Sequence, residues 1–190
     1  FFISIHHIIG DGWSMEIMFS ELVKIYNALI QGNGIDLSIL NIQYKDYAVW
    51  QKSELPQEKL KLSEHYWLKQ FSGKIPVLDL PSFKSRPSIQ TYNGDSIKHY
   101  FSKEFLDKIK SFSSQQGVTL FMTLMGAVKV LLHFYTRQDD IIIGTPIAGR
   151  EYADLENQLG LYLNTLAIRS QFKEGQSFLD FMASLKHTLL

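Results

Sequence analysis

The stretch PVLDLPSFKSRPSIQTYNG, residues 76–94, holds three of the chain's five prolines and has neither a helical nor a strand period. Proline fixes φ and has no amide hydrogen to donate, so such a stretch interrupts any continuous helix or ladder. This stretch is therefore the expected linker, 76–95, between two blocks, a first lobe over residues 1–75 and a second over 96–190. A length of 190 residues with 45% hydrophobic content supplies a sizeable core.

Each block mixes strand and helix patterns. Residues 1–5, FFISI, contain four apolar side chains and read as a buried strand. A core strand needs neighbours for its backbone groups, so a chain opening inside one is expected to be a segment of something longer. A helix over about 13–30 follows, with Met18, Leu22, Ile25 and Leu29 on one face, stopped by QGNG at 31–34. Shorter helices are expected over 44–51 and 58–71. In the second block, SIKHYF (96–101) alternates as a strand. Ser102 and Thr119 cap helices to about Gln116 and Tyr135, the first with Phe105, Leu106, Ile109 and Phe112 inward. DDIIIGTPIAGR (139–150) reads as an apolar strand running into a turn shaped by Gly144, Pro146 and Gly149. A strand at about 161–170 and a helix capped by Ser177 complete a mixed α/β (α+β) chain.

Composition removes several function classes. Nineteen basic and nineteen acidic side chains give a formal net charge of zero, with no block of lysine and arginine to hold nucleic acid or an anionic membrane. Without cysteine there is no disulfide framework, thiolate nucleophile or thiolate metal site. No apolar run approaches the length needed to span a bilayer, and the N-terminus lacks a signal peptide's basic flank. The cytoplasm is the expected compartment.

Chemistry concentrates at HHIIGDG, residues 6–12. Four readings compete for His6, His7 and Asp11. The histidines pack at a strand end while Asp11 caps a helix; or the three ligate a metal; or one histidine moves a proton; or the loop only binds. His65, His99, His133 and His187 are isolated and add no second ligand cluster, which weighs against a zinc or iron hydrolase. Imidazole accepts and returns a proton near neutral pH. Adjacent strand residues point to opposite faces, so only one of the pair can face a substrate. No G-x-S-x-G accompanies them, so direct attack of one substrate on another fits better than a covalent enzyme intermediate.

HHIIGDG followed by WS (13–14) resembles the HHxxxDG motif of nonribosomal peptide synthetase condensation domains, members of the chloramphenicol-acetyltransferase-like superfamily. Three further segments are similar to that family in the same order: YKDYAVWQ (44–51), IGTPIAGR (143–150) and LGLYLNTLAIR (159–169). In the last, Leu161, Tyr162 and Leu163 replace the commoner residues. RPSIQTYNGD (86–95) is similar to the segment preceding the family's second lobe.

The resemblance implies a two-lobed acetyltransferase-like fold, present as parts of both lobes, with a tunnel entered by donor and acceptor peptidyl carrier proteins. An acyl or peptidyl thioester on carrier phosphopantetheine would be attacked by the acceptor's amine, forming an amide. No bound cofactor and no metal are implied, and an adenylation domain is the expected neighbour. His7 is carried over as the tunnel histidine, either general base or positioning group, with His6 beside it as a packing residue. Asp11 is carried over as a brace, paired with Arg150 or with an arginine outside the chain. Gly12 would permit close backbone approach, and Trp13, Ser14 and Asn164 are expected at the substrate. Tyr44, Asp46, Trp50, Gly144, Pro146 and Arg150 are expected to be structural. Heterocyclisation domains carry a D-x-x-x-x-D pattern that is absent here, and IGTPIAGR favours condensation over epimerisation. An epimerisation domain and a non-catalytic carrier-docking module stay as alternatives, and the segment alone is expected to be inactive.

Overall fold

The computed structural model describes residues 2–53, 57–82 and 87–190. A 3-10 turn at His7–Ile9 leads into helix α1 (Gly12–Gln31), followed by α2 (Tyr44–Ser53), α3 (Gln57–Gln70), α4 (Lys103–Gln115) and α5 (Leu120–Thr136). Strand β1 (Asp140–Ile147), a 3-10 turn at Ala153–Leu155, strand β2 (Asn164–Gln171) and helix α6 (Phe178–Leu189) complete the order. Phe172 N–H donates to the Asp139 carbonyl at 2.7 Å, which sets the start of β1 beside the end of β2, so the two strands are antiparallel.

Local chemistry accounts for the helix ends. Asp11, Ser102, Thr119 and Ser177 are the N-caps of α1, α4, α5 and α6, each accepting a backbone N–H three residues on. Gly32 ends α1 in the left-handed region at φ 69°, returning its N–H to the last turn. Asp46, in the first turn of α2, reaches back to accept the Gln43 N–H at 2.8 Å, which is half of a capping box.

Two compact units arise. The first contains the residues up to Ser72 together with Thr145–Leu166; the second contains Gly73–Gly144 and Ala167–Leu190. The segment Thr145–Leu166 clusters with the first unit, so both units are discontinuous in sequence. Of the expected linker, residues 83–86 lie outside the described residues.

The second unit has an apolar core. Met122, Met125, Gly126 and Lys129 recur along one face of α5 and meet Phe181, Met182 and Leu185 of α6, with Ile141 and Ile168 from the strands. A Cβ at Gly126 would collide with the Met182 sulfur, so a side chain there would push the helices apart. Lys129 is fully buried, and its ammonium donates to the carbonyls of Ile141 (3.3 Å) and Ile168 (2.7 Å), one on each strand. The first unit is different: Asp11, Ser14 and Gln158 are buried alongside Leu155 and Tyr162.

Several expectations are corrected. Residues 2–5 and 96–101 form no strand, because the only sheet among the described residues joins β1 to β2 and leaves them no ladder partner. Residue 1 lies outside the described residues. Leu29, Phe105 and Leu106 are exposed where an inward face was expected. Gly144 and Pro146 lie inside β1, not in the turn. Proline is tolerated there because each strand of a two-stranded sheet has an open edge. The turn falls at Gly149, and β2 begins at Asn164, three residues later than the pattern suggested.

Candidate active site

The site is built around the start of α1. Asp11 is 3% exposed and its carboxylate is saturated with donors. Oδ1 accepts from the Ser14 N–H (2.9 Å), the Ser14 hydroxyl (2.8 Å) and Arg150 Nη2 (3.3 Å), while Oδ2 accepts from the Tyr162 N–H (3.1 Å). Burial acts to raise the Asp11 pKa. The Ser14 and Tyr162 donors and the Arg150 charge outweigh it, so the pKa is lowered to about 2.

Arg150 is the hub of this cluster, its side chain 1% exposed. Nη1 donates to the Leu155 carbonyl (2.5 Å) and the Gln158 carbonyl (2.8 Å), and Nη2 also donates to Ser14 Oγ (3.1 Å). The guanidinium carbon lies 4.2 Å from the centre of the Tyr162 ring, a cation–π contact away from water. Its Nε has no partner among the described residues. The buried cation and Asp11 thus neutralise each other, with the Leu155 and Gln158 carbonyls accepting from Nη1.

Glycines make this convergence possible. Gly149 sits at φ 66°, and a Cβ there would run into the Tyr162 carbonyl. Backbone from the two ends of the 149–162 loop therefore touches directly. Tyr44 of α2 donates its hydroxyl to the Leu161 carbonyl at 3.0 Å. It packs edge-on against the Tyr162 ring, 5.1 Å between centroids. Tyr47 and Trp50 extend the aromatic row, with Trp50 perpendicular to Tyr152 at 5.2 Å.

His6 and His7 are both exposed at the turn that this cluster supports. His6 Nδ1 accepts the Ile8 N–H at 3.1 Å and caps the 3-10 turn, a local role rather than core packing. The His7 side chain has no hydrogen-bond partner among the described residues, so both ring nitrogens are open to a substrate. Among the described residues no group of three or more His, Asp or Glu could hold a metal ion.

The remaining site residues separate by exposure. Ser14, expected at the substrate, is buried, with its hydroxyl committed to Asp11, Arg150 and both backbone groups of Gly160. Trp13 keeps an exposed face while its indole N–H donates to the Glu156 carbonyl at 2.9 Å. Among the described residues, apart from its chain neighbours and its own helix backbone, nothing lies within 4 Å of a Cβ built at Gly12, so none of them makes the close approach expected there. Asn164 is exposed at the start of β2, its side-chain oxygen accepting the Thr165 N–H. Sequence reasoning missed Gln158, which is fully buried. Its amide donates to the carbonyls of Ile42 and Asp154, and its side-chain oxygen accepts from the Tyr162 hydroxyl at 2.5 Å. A glutamine in a loop carries no periodicity that could have flagged it.

Comparison with known proteins decides the family. The family model described as "Condensation domain" matches residues 1–190. The chain belongs to the condensation-domain family. Among curated relatives, it is 43% identical over 190 residues to Gramicidin S synthase 2 from Brevibacillus brevis, covering 100% of this chain and 4% of that protein. It is 40% identical over 185 residues to Bacitracin synthase 1 from Bacillus licheniformis, covering 97% and 3%. This condensation-domain chain therefore spans a small fraction of the synthetases it matches. The mixed α/β fold is that of solved members of the chloramphenicol-acetyltransferase-like class. The X-domain in complex with OxyB from teicoplanin biosynthesis superposes with a TM-score of 0.85 at 22% identity, covering 97% of this chain and 42% of that one. A four-domain nonribosomal peptide synthetase bound to AMP and glycine gives 0.83 at 25% identity, covering 97% and 14%. The epimerization domain from the third module of tyrocidine synthetase B gives 0.75 at 14% identity, covering 97% and 42%. Among the described residues no single helix of this condensation domain is long and apolar enough to cross a membrane.

Proposed function

We propose that this chain forms part of a domain that joins an acceptor aminoacyl amine to a donor acyl or peptidyl thioester, both carried on phosphopantetheine arms of peptidyl carrier proteins. The amine nitrogen attacks the thioester carbonyl, the C–N bond forms, the C–S bond breaks, and the carrier thiol leaves with a proton. His7 takes or steadies the proton lost by the amine, a contribution typically worth about 10²–10⁴-fold. The observation that carries this reading is the unpartnered imidazole of His7 on a turn held by the buried Asp11–Arg150 pair. Gly12 and Trp13, exposed beside that turn, are the residues we place nearest the substrate. An adjacent adenylation domain loads the carriers, and the whole operates in the cytoplasm without a metal or cofactor of its own.

The test is amide formation on loaded carrier proteins by the complete synthetase carrying His7→Ala. A loss of about 10²-fold or more with unchanged carrier binding is expected; near-normal turnover would remove His7 from the chemistry. The likeness in fold to an epimerization domain supports a second reading. Inversion of the aminoacyl centre without amide formation in the same assay would establish it. Carrier binding with neither reaction would identify a docking module.

A further inference from the structure

The first unit holds a cavity of about 330 Å³ that the amide-forming reading does not use. Its lining includes Tyr47 and Trp50 from α2 and Tyr152 from the loop after β1, with the buried Leu155 beneath them. The Trp50 and Tyr152 rings stand at 80° with centroids 5.2 Å apart, and Tyr47 lies 6.0 Å from Trp50 at 33°. Three rings in this arrangement present π-faces and edges around one space.

Two carboxylates, Asp46 and Asp154, share the lining. Each spends one oxygen on the protein: Asp46 Oδ2 accepts the Gln43 N–H (2.8 Å) and Asp154 Oδ1 accepts the Asn41 amide (3.1 Å). Their other oxygens have no hydrogen-bond partner among the described residues, and neither group has an ion-pair partner there. Both aspartates are solvent-exposed and without an ion-pair partner among the described residues, and they lie beside the half-buried rings of Tyr47 and Trp50 and the half-exposed ring of Tyr152.

We infer that this cavity is a docking site for an arginine side chain of a partner polypeptide. A cation gains from the ring faces and from the free carboxylate oxygens together. A planar guanidinium suits the site better than a compact ammonium, because it can stack on one ring while its fork reaches a carboxylate edge. The same chain solves that problem internally, where Arg150 lies over Tyr162 and pairs with Asp11. The cavity opens to solvent beside the half-exposed Tyr152, which fits a side chain presented by another protein surface. This inference does not rest on the proposed reaction and survives its failure.

The test uses N-acetyl-arginine methylamide, its neutral isostere N-acetyl-citrulline methylamide, and tetramethylammonium, titrated into the full chain and followed by side-chain NMR shifts of Trp50. Saturable binding of the arginine probe, at least about tenfold tighter than the citrulline probe and weakening with added salt, is expected. Asp46→Asn with Asp154→Asn keeps both local acceptor oxygens and removes the charge. The pair should lower arginine affinity about tenfold or more while leaving thermal unfolding unchanged. Should the double variant unfold, Tyr152→Leu, which removes one half-exposed wall, must produce a comparable loss. Equal binding of citrulline, absence of saturation, or affinity unchanged in the variants would overturn the inference. Tetramethylammonium binding as tightly as arginine would overturn the assignment to a guanidinium.

Discussion

Asp11, read from the sequence as helix cap, metal ligand or brace, is the acceptor of four donors, Arg150 among them. Its lowered pKa makes a prediction about acid stability. The folded-state value is about 2 against an ordinary 3.8, so the unfolded chain binds the proton more readily. The contribution of the ionised carboxylate, held chiefly by the Ser14 and Tyr162 donors and then by Arg150, is complete above about pH 4–5 and is lost as the pH falls through about 2, some 2 kcal/mol in all. Urea unfolding between pH 5 and pH 2 should show that loss in the native chain, and Asp11→Asn should reduce the pH dependence by that amount, leaving the part that belongs to Asp140, whose pKa is also lowered by its bonds to Arg169 and Gln171. The variant should also cost about 3 kcal/mol at neutral pH, because Arg150 would stay buried without its counter-charge. Glycines give a paired prediction. Gly149→Ala should destabilise by more than about 2 kcal/mol, combining positive φ with a backbone collision. Gly12→Ala, in open space, should stay within about 0.5 kcal/mol. Lost amide formation in the complete synthetase carrying Gly12→Ala, with stability unchanged, would show that it is the substrate that needs the glycine.

At the scale of elements, Lys129 is the feature that runs against its surroundings. It lies on the apolar face of α5 and spans both strands through the carbonyls of Ile141 and Ile168. Desolvation lowers its pKa from 10.5 to about 8, partly opposed by Asp140. The unfolded chain therefore holds this proton more tightly than the folded one between those values. Stability should rise with pH from about 8 upward, since the charged form is the one penalised by burial, with up to about 3 kcal/mol available. Denaturant midpoints at pH 7.5 and 9.5 should move upward in the native chain and much less in Lys129→Met. An equal rise in both would assign the effect to other groups. The helix caps were readable in advance: Ser102, Thr119 and Ser177 stand where a short polar side chain precedes an apolar period, and each caps its helix. Among the described residues, the expected strands were not realised at 2–5 or 96–101, since alternation describes a side chain's preference and says nothing about whether a partner strand lies beside it.

At the scale of the whole molecule, large apolar side chains remain on the surface: Ile97, Tyr92, Tyr100 and Ile39 are each at least 85% exposed. A chain with such a surface should bind a hydrophobic dye and self-associate when prepared by itself. Sedimentation showing a dye-silent monomer would contradict that. The sequence alone determined the helix ends, the mixed class, the family motifs and the position of the histidine pair, because each depends on residues within a few positions of one another. Only the tertiary structure decided that Arg150 meets Asp11, 139 positions away, and that Ser14 faces the protein instead of a substrate. It also decided that Gln158 is buried and bonded to Arg150 and Tyr162, and that Gly144 and Pro146 continue a strand. The physical reason is common to all of these. A buried polar group is defined by the donors and acceptors that surround it, and those are set by which distant segments the fold brings into contact.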